Sequence, residues 1–445
     1  MKKVLILGAG MVARPIVTYL LKQGYFVSVA DLVKEKAEEL TKGYENSQAI
    51  QWSVDNETAL DSMVKEHDIT VSLLPWMFHV IVAKYCIKHK KNMVTTSYVK
   101  PEMKALDTAA KDADIIILNE LGLDPGIDHM SALRIIDNVH AKGGKIEEFY
   151  SICGALPAPE AADNPFRYKF SWSPKGVVMA GNNEANYLKH WKNINVPTAD
   201  LFKNPLTVDF PQVGKLEIYP NRDSVSYIDI YGIQETSTIM RGTFRYPGWC
   251  ETLDAMKALK LITSDSYDFT GKTYAEMVAM LIGADSSADI IRKSAKFLNI
   301  SDDAYSLKAL EWLGVFDHRP MNRQTDSPFE ITSDLMISKM ELGRNERDMV
   351  VMQHIFLVKN SDGKKEVIKS SMLDFGTLAT DTAVARTVAL PAAVGVEMIL
   401  AGDIKAKGVH IPVIPEIYNP ILNRLEDMNI KMVEEFNLPI NQMIG

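Results

Sequence analysis

Gly8-Ala9-Gly10-Met11-Val12-Ala13 is a G-x-G-x-x-A stretch between an apolar run and a helix-period segment, and its chemistry is phosphate binding. Gly8 permits a tight turn, Gly10 lets the backbone approach a pyrophosphate, and Ala13 allows close packing of helix on strand. Met11 and Val12 complete the turn into a helix whose N-terminus favours anionic charge. Asp31 closes the second apolar run, where an acid accepts hydrogen bonds from an adenosine ribose; a cap for the following helix is the plainer use of the same residue. An acid at this point repels a 2′-phosphate, and no Arg follows closely, so NAD is expected in preference to NADP.

A second carboxylate, Asp124, lies in "LGLDPG" (121–126) at the end of another apolar run. Either it faces the reactive ring of the dinucleotide, or it is an Asx-turn acceptor holding the Pro-Gly turn. Two further segments, "LLPW" (73–76) and "TTSY" (95–98), end neighbouring runs and bring Tyr98 to the same rim. Arg222 in "YPNRDS" and Arg241 and Arg245 in "RGTFRY" add guanidinium forks, which bind carboxylates bidentately. Taken together they imply a substrate with more than one carboxylate, whereas each alone is more often a surface ion-pair partner.

Positioning such groups requires a sheet. Runs at 4–7, 26–30, 49–54, 69–74, 93–97 and 115–118 alternate with helix-period segments, the first carrying Val12, Ile16, Val17, Leu20 and Leu21 on one face. This rhythm predicts an α/β fold with a doubly wound parallel sheet. Pro15 is expected to remove one early hydrogen bond from the first helix. After Gly126 the rhythm changes. Asp128 is the expected cap of a helix ending at Gly143-Gly144, and strand-like runs follow at 147–152 and 215–219. The pattern is helical from 251 to 344, a β-hairpin is expected across "NSDGK" within 349–374, and an alanine-rich helix over 380–400.

The chain of 445 residues is long enough for two or three domains. Its net charge of −8, from 49 Lys+Arg against 57 Asp+Glu, favours neither nucleic acid nor an anionic membrane. Cys86, Cys153 and Cys250 form no C-x-x-C pair, and the His residues lack metal-ligand spacing, so no metal is expected. The basic, apolar start is interrupted by Arg14-Pro15 and is not read as a leader. No apolar run is expected to reach the roughly 20 residues that span a bilayer, and a cytoplasmic location is expected.

The combination "TTSYVKPEM", "LNELGLDPGIDHM", "CGALPAPE", "DNPFRYKFSWSPKGV", "YPNRDS", "RGTFRY" and "AVARTVALPAAVGVEMILAGDIKAKG" resembles the glutamate-forming saccharopine dehydrogenase family over essentially the whole chain. It is most similar to the NAD-using dehydrogenase half of bifunctional lysine-degrading enzymes. Departures are Ala155, Ala162, Trp76 and Phe244, which bear on substrate fit rather than on the reaction. The resemblance implies a split Rossmann domain (1–128 and 390–445) and a mixed α/β substrate-binding and dimerisation domain (129–250 and 346–389). A helical insertion would occupy 251–345, and the assembly would be a homodimer. It implies oxidation of the secondary amine of saccharopine and hydrolysis of the imine to glutamate and 2-aminoadipate 6-semialdehyde. Substrate contacts would be Ser97, Tyr98, Asp124, Cys153, Arg222, Thr243, Phe244 and Arg245. Dinucleotide contacts would include Gly10, Ala13, Asp31, Asp55, Leu74, Leu123 and Trp172.

Asp124, Tyr98 and Cys153 are the candidates for proton transfer, Asp124 chiefly orienting the substrate amine. Cys153 as a small buried residue and His129 as a structural one are the plainer readings. An imine-reducing dehydrogenase of polyamine synthesis, of the carboxynorspermidine type, is the alternative, although its substrate would leave Arg222 and Arg245 without partners. A non-catalytic NAD-binding protein on the same scaffold is a third reading.

Overall fold

Short apolar runs become strands here where both faces are covered, and the one at the sheet edge, Ser47–Gln51, has no buried residue. The computed structural model describes residues 1–444, and its chain divides into two compact units. The first unit is Met1–Gly144 with Ser370–Glu434; the second is Lys145–Lys369 with Glu435–Gly445.

In the first unit, β1 (Lys3–Leu7), β2 (Phe26–Asp31), β3 (Ser47–Gln51), β4 (Ile69–Ser72), β5 (Asn92–Thr95) and β6 (Ile116–Leu118) form one parallel sheet. Val4 to Leu7 are fully buried, as the unbroken apolar run requires. The spatial order is Gly408–His410, β6, β5, β4, β1, β2, β3, so the winding reverses between β1 and β4. The seventh strand, Gly408–His410, pairs in parallel with β6 and comes from the far end of the chain.

Helix α1 (Ala13–Lys22) buries Ile16, Val17, Leu20 and Leu21. Pro15 costs it nothing of the kind expected. It falls in the first turn, whose N–H groups have no intrahelical acceptor in any helix. The alanine-rich helix runs Ala383–Ala401, capped by Thr382, whose hydroxyl accepts the Ala385 N–H at 3.0 Å. By length and composition it could cross a bilayer, which corrects the expectation that no run was long enough. It is mostly buried instead, packed on α1, β4 and β5, and is a core helix of the first unit. The helix Ile127–Ala141, expected to open the second domain, belongs to the first unit, where it packs on the helix Pro415–Asp427. The segment 370–389 does likewise.

The second unit is built on a mixed sheet. Its central strand, Lys145–Pro157, runs parallel to Thr238–Arg245 on one side and antiparallel to Asp348–Lys359 on the other. Gly214–Pro220 pairs antiparallel with Thr238–Arg245. The expected hairpin is present as Asp348–Lys359 and Lys365–Phe375, turning at Gly363, and its return strand runs past Lys369, where this segment of the second unit ends. Five helices of nine or more residues lie between Trp249 and Lys339, the second opened by a capping box of Thr273 and Glu276. A two-residue bridge, Tyr267–Asp268 with Thr325–Asp326, interrupts that stretch; strands so short leave no period to read.

Candidate functional site

The glycine loop leaves β1 at the point where the sheet reverses. Gly8 has φ 104°, and a β-carbon there would sit 3.1 Å from the Leu73 carbonyl oxygen at the end of β4. Gly10 is different: a β-carbon on it meets no atom within 4 Å. Val12, the residue before α1, provides no side-chain cap, and Met11 is exposed. Ala13 is fully buried against the sheet. Open space at Gly10, a helix N-terminus without a side-chain cap and a glycine in the left-handed region fit a pyrophosphate. Leu74 is half-buried just beyond β4, and Asp55 lies exposed beyond β3, accepting from the Ser53 hydroxyl at 3.2 Å.

Asp31 ends β2, with its carboxylate turned onto the backbone. One oxygen accepts the Ala9 N–H at 2.7 Å and the other the Val33 N–H at 2.9 Å. It therefore braces the glycine loop and the entry to the helix α2 (Lys34–Thr41).

On the other half of the sheet, β5 leads into Ser97 and Tyr98, and β6 leads into the 121–126 turn. The Tyr98 hydroxyl donates to Asp124 Oδ1 at 2.8 Å, and both residues are half-buried. The turn is closed by the Gly122 N–H to Pro125 O bond of 3.0 Å. Gly126 has φ 146°, and a β-carbon there would lie 2.1 Å from Gly122 O, so only glycine fits. Leu123, in the same turn, is buried. The helix after it starts at Ile127 rather than being capped by Asp128. The reason is that the Asp128 carboxylate folds back to accept the Gly126 N–H at 2.6 Å.

His79, which no spacing rule singled out, underlies this rim. Its Nδ1 is 2.8 Å from Ser72 Oγ and its Nε2 is 2.8 Å from Ser97 Oγ. Burial pushes its pKa down to about 4, so the ring is neutral and one of the two serines donates to it while the other accepts. Its position just after "LLPW" is the only signal the sequence offered.

In the second unit, Cys153 and Thr243 are register partners on parallel neighbours, and Tyr219 is the antiparallel partner of Thr243. Ninety residues of sequence separation collapse to one strand spacing. Alternation along the strand puts Arg241, Thr243 and Arg245 on one face and Phe244 on the other. Phe244 is fully buried with its ring against Phe210, so its side chain does not share the face of Thr243. The arginines differ. Arg222 is exposed in the turn after Gly214–Pro220, with φ 50° and its carbonyl accepting the Asn186 N–H at 2.9 Å. Arg241 is buried over the Tyr227 ring and donates to its hydroxyl at 3.0 Å. Arg245 is buried with its guanidinium facing the rings of Tyr168, Tyr219 and Trp249, and its Nε has no partner among the described residues. Its side chain is thus enclosed rather than presented. Trp172 is half-buried and belongs to this second unit.

Two family models match the chain. Residues 4–118 match the saccharopine dehydrogenase NADP binding domain, and residues 122–430 the saccharopine dehydrogenase C-terminal domain. The saccharopine dehydrogenase [NADP(+), L-glutamate-forming] of Pyricularia oryzae is 37% identical over 436 residues, covering 96% of this chain and 97% of that protein. The mitochondrial alpha-aminoadipic semialdehyde synthase of Bos taurus is 39% identical over 433 residues. That match takes in 96% of this chain and 47% of the cattle protein, so the chain spans about half the length of that relative. The apo saccharopine dehydrogenase (L-Glu forming) of Saccharomyces cerevisiae superposes with a TM-score of 0.90 at 35% identity, over 98% of this chain and 100% of that one.

These matches correct the expected preference for NAD. The matching domain is an NADP-binding one, and the fungal relative carries NADP(+) in its name. Both oxygens of Asp31 are taken up by backbone N–H groups, so its carboxylate braces the loop rather than standing open to repel a 2′-phosphate. Lys34, paired with Glu38 at 2.9 Å, and Lys36 put two exposed cations in the first turn of α2, just beyond Asp31.

Proposed function

Because the chain belongs to the saccharopine dehydrogenase family, we propose that it oxidises L-saccharopine to L-glutamate and 2-aminoadipate 6-semialdehyde. The observation that carries this reading is the 2.8 Å hydrogen bond from Tyr98 to Asp124 at the strand-end rim of a dinucleotide fold. NADP, when bound, supplies the hydride acceptor; Gly10, Met11, Val12 and Ala13 would hold its pyrophosphate.

A hydride leaves carbon only when the neighbouring nitrogen has a lone pair to form the C=N bond, so the secondary ammonium of the substrate must first lose a proton. A carboxylate that accepts from Tyr98 keeps acceptor capacity for that ammonium. Asp124 in this reading holds the amine in place and stabilises its charge, and Tyr98 fixes the carboxylate's orientation. Water then adds to the imine carbon, and the C–N bond breaks as the nitrogen regains a proton, releasing the amino acid and the aldehyde. Proton transfer in both steps falls to Asp124 and Tyr98. Within the second unit, Arg222, exposed in its turn, has the fork that suits a carboxylate, whereas Arg245 is enclosed in its aromatic cage.

The test is a steady-state assay with saccharopine and NADP, measuring NADPH and glutamate together. Equal amounts of the two are expected, and Asp124→Asn is expected to lower turnover while leaving NADP binding intact. Dinucleotide binding without glutamate release would end the proposal.

A further inference from the structure

Tyr98 and Asp124 stand on separate loops, so something must hold those loops in register. Glu120 does this for the Tyr98 loop on both sides of the tyrosine. Its backbone N–H donates to Ser97 O at 3.1 Å, and its Oε1 accepts the Val99 N–H at 2.8 Å. Two bonds from one residue thus bracket Tyr98. Glu120 is 4% exposed and sits at φ 57°, a left-handed conformation that a non-glycine residue keeps only where its surroundings demand it.

The other carboxylate oxygen of Glu120 meets His129, whose Nε2 donates to Oε2 at 2.8 Å. His129 is fully buried in the first turn of the helix Ile127–Ala141. Beside it, Asp128 takes the Gly126 N–H, two residues beyond Asp124. His129 Nδ1 is 3.9 Å from Asp128 Oδ2. The path from Val99 through Glu120 and His129 into the helix start, and from Asp128 to Gly126, ties the two loops together beneath the hydroxyl–carboxylate contact. Two buried acids and an imidazole cost desolvation energy that an apolar plug would not, so their presence here needs a reason beyond packing.

We propose that Glu120 and His129 are positioning residues, whose buried carboxylate–imidazole pair sets the Tyr98–Asp124 contact. Neither touches substrate; both act through the pair. The inference rests on the reading of Tyr98 and Asp124 as the reacting rim.

The experiment is a double-mutant cycle on the full chain with saccharopine and NADP. Glu120→Ala removes the Val99 acceptor and the His129 partner together, and is expected to lower kcat about 10- to 100-fold with the KM for NADP changed by less than about two-fold. In a Tyr98→Phe background the same substitution is expected to cost less than about three-fold, because the contact it sets is already gone. Glu120→Gln keeps an acceptor for Val99 but turns an amide N–H2 donor toward His129 Nε2, and is expected to recover only the part of the loss that the Val99 bond carries. His129→Asn, which leaves both bonds from Glu120 to the Tyr98 loop, carries the same cycle if Glu120→Ala does not fold. Unchanged kcat, or equal fold-losses in the two backgrounds, overturns the proposal. Should Tyr98→Phe and Asp124→Asn themselves leave kcat unchanged, the reading of the rim fails instead, which is a separate result.

Discussion

A β-carbon on Gly8 would stand 3.1 Å from the carbonyl oxygen of Leu73, so the ends of β1 and β4 approach each other as closely as glycine allows. This is the crevice where the strand order reverses and where a dinucleotide lies in open α/β sheets. Gly8→Ala adds left-handed strain of about 1–2 kcal/mol to that steric contact, and is expected to lower the denaturation midpoint and weaken NADP binding together. Gly10→Ala separates the two effects. Its methyl meets no protein atom within 4 Å, so the midpoint without dinucleotide should hold, while the Kd for NADP rises at least about ten-fold, or 1.4 kcal/mol. Equal binding by wild type and Gly10→Ala would show that the pyrophosphate does not approach there.

Asp31 makes a sharper test of the cofactor argument. Removing its carboxylate with Asp31→Ala takes away the acceptor of both the Ala9 and the Val33 N–H. Hydrogen bonds to a charged group are worth about 1.5–3 kcal/mol, so NADP and NAD should both bind at least about ten-fold more weakly. If Asp31 met the 2′-phosphate instead, the same variant would improve NADP selectively. Titration of each dinucleotide by fluorescence distinguishes the two outcomes.

Five strands of the first unit were legible because each is a short apolar run bounded by polar residues, whereas the edge strand Ser47–Gln51 has no buried residue and lies two residues ahead of the run expected at 49–54. Gly408–His410 was not, since three residues carry no period and only pairing with β6 makes them a strand. Rim chemistry was legible where a polar residue ends an apolar run, as Tyr98 and Asp124 do. His79 and Glu120 escaped for the opposite reason. Burial of a polar side chain depends on partners from other strands and turns, here Ser72, Ser97, Val99 and His129. Arg222 and Arg245 looked alike as letters, and only the aromatic surroundings of Arg245 separate them.

That separation gives opposite expectations for the two arginines. Arg222 is exposed, so Arg222→Ala should leave the midpoint nearly unchanged and raise the KM for saccharopine by roughly ten-fold or more, the loss of one charge-assisted fork. Arg245→Met leaves its three rings without the cation they face, and should lower stability by about 1–3 kcal/mol before it alters KM. Thermal denaturation beside saccharopine saturation curves reads both. A variant pair with the two phenotypes exchanged would reverse the assignment of exposed fork and enclosed cation.

His79 makes the stability of the chain depend on pH with a predictable sign. Its folded pKa is pushed down to about 4 from an ordinary 6.5, so the folded state keeps the ring neutral while the unfolded chain takes up a proton. The contribution is fully present above pH 6.5, is lost progressively as pH falls to about 4, and changes no further below that. The span corresponds to roughly 3 kcal/mol. His79→Gln has no ring to protonate, so the stability advantage of wild type over the variant should shrink across that window. His67 is depressed in the same direction by burial but is present in both proteins and drops out of the difference. Urea denaturation of the two proteins at several pH values between 4 and 7 measures the gap. If it stays constant across the window, His79 accepts its proton as readily folded as unfolded, and the neutral ring assigned between Ser72 and Ser97 would have to be abandoned.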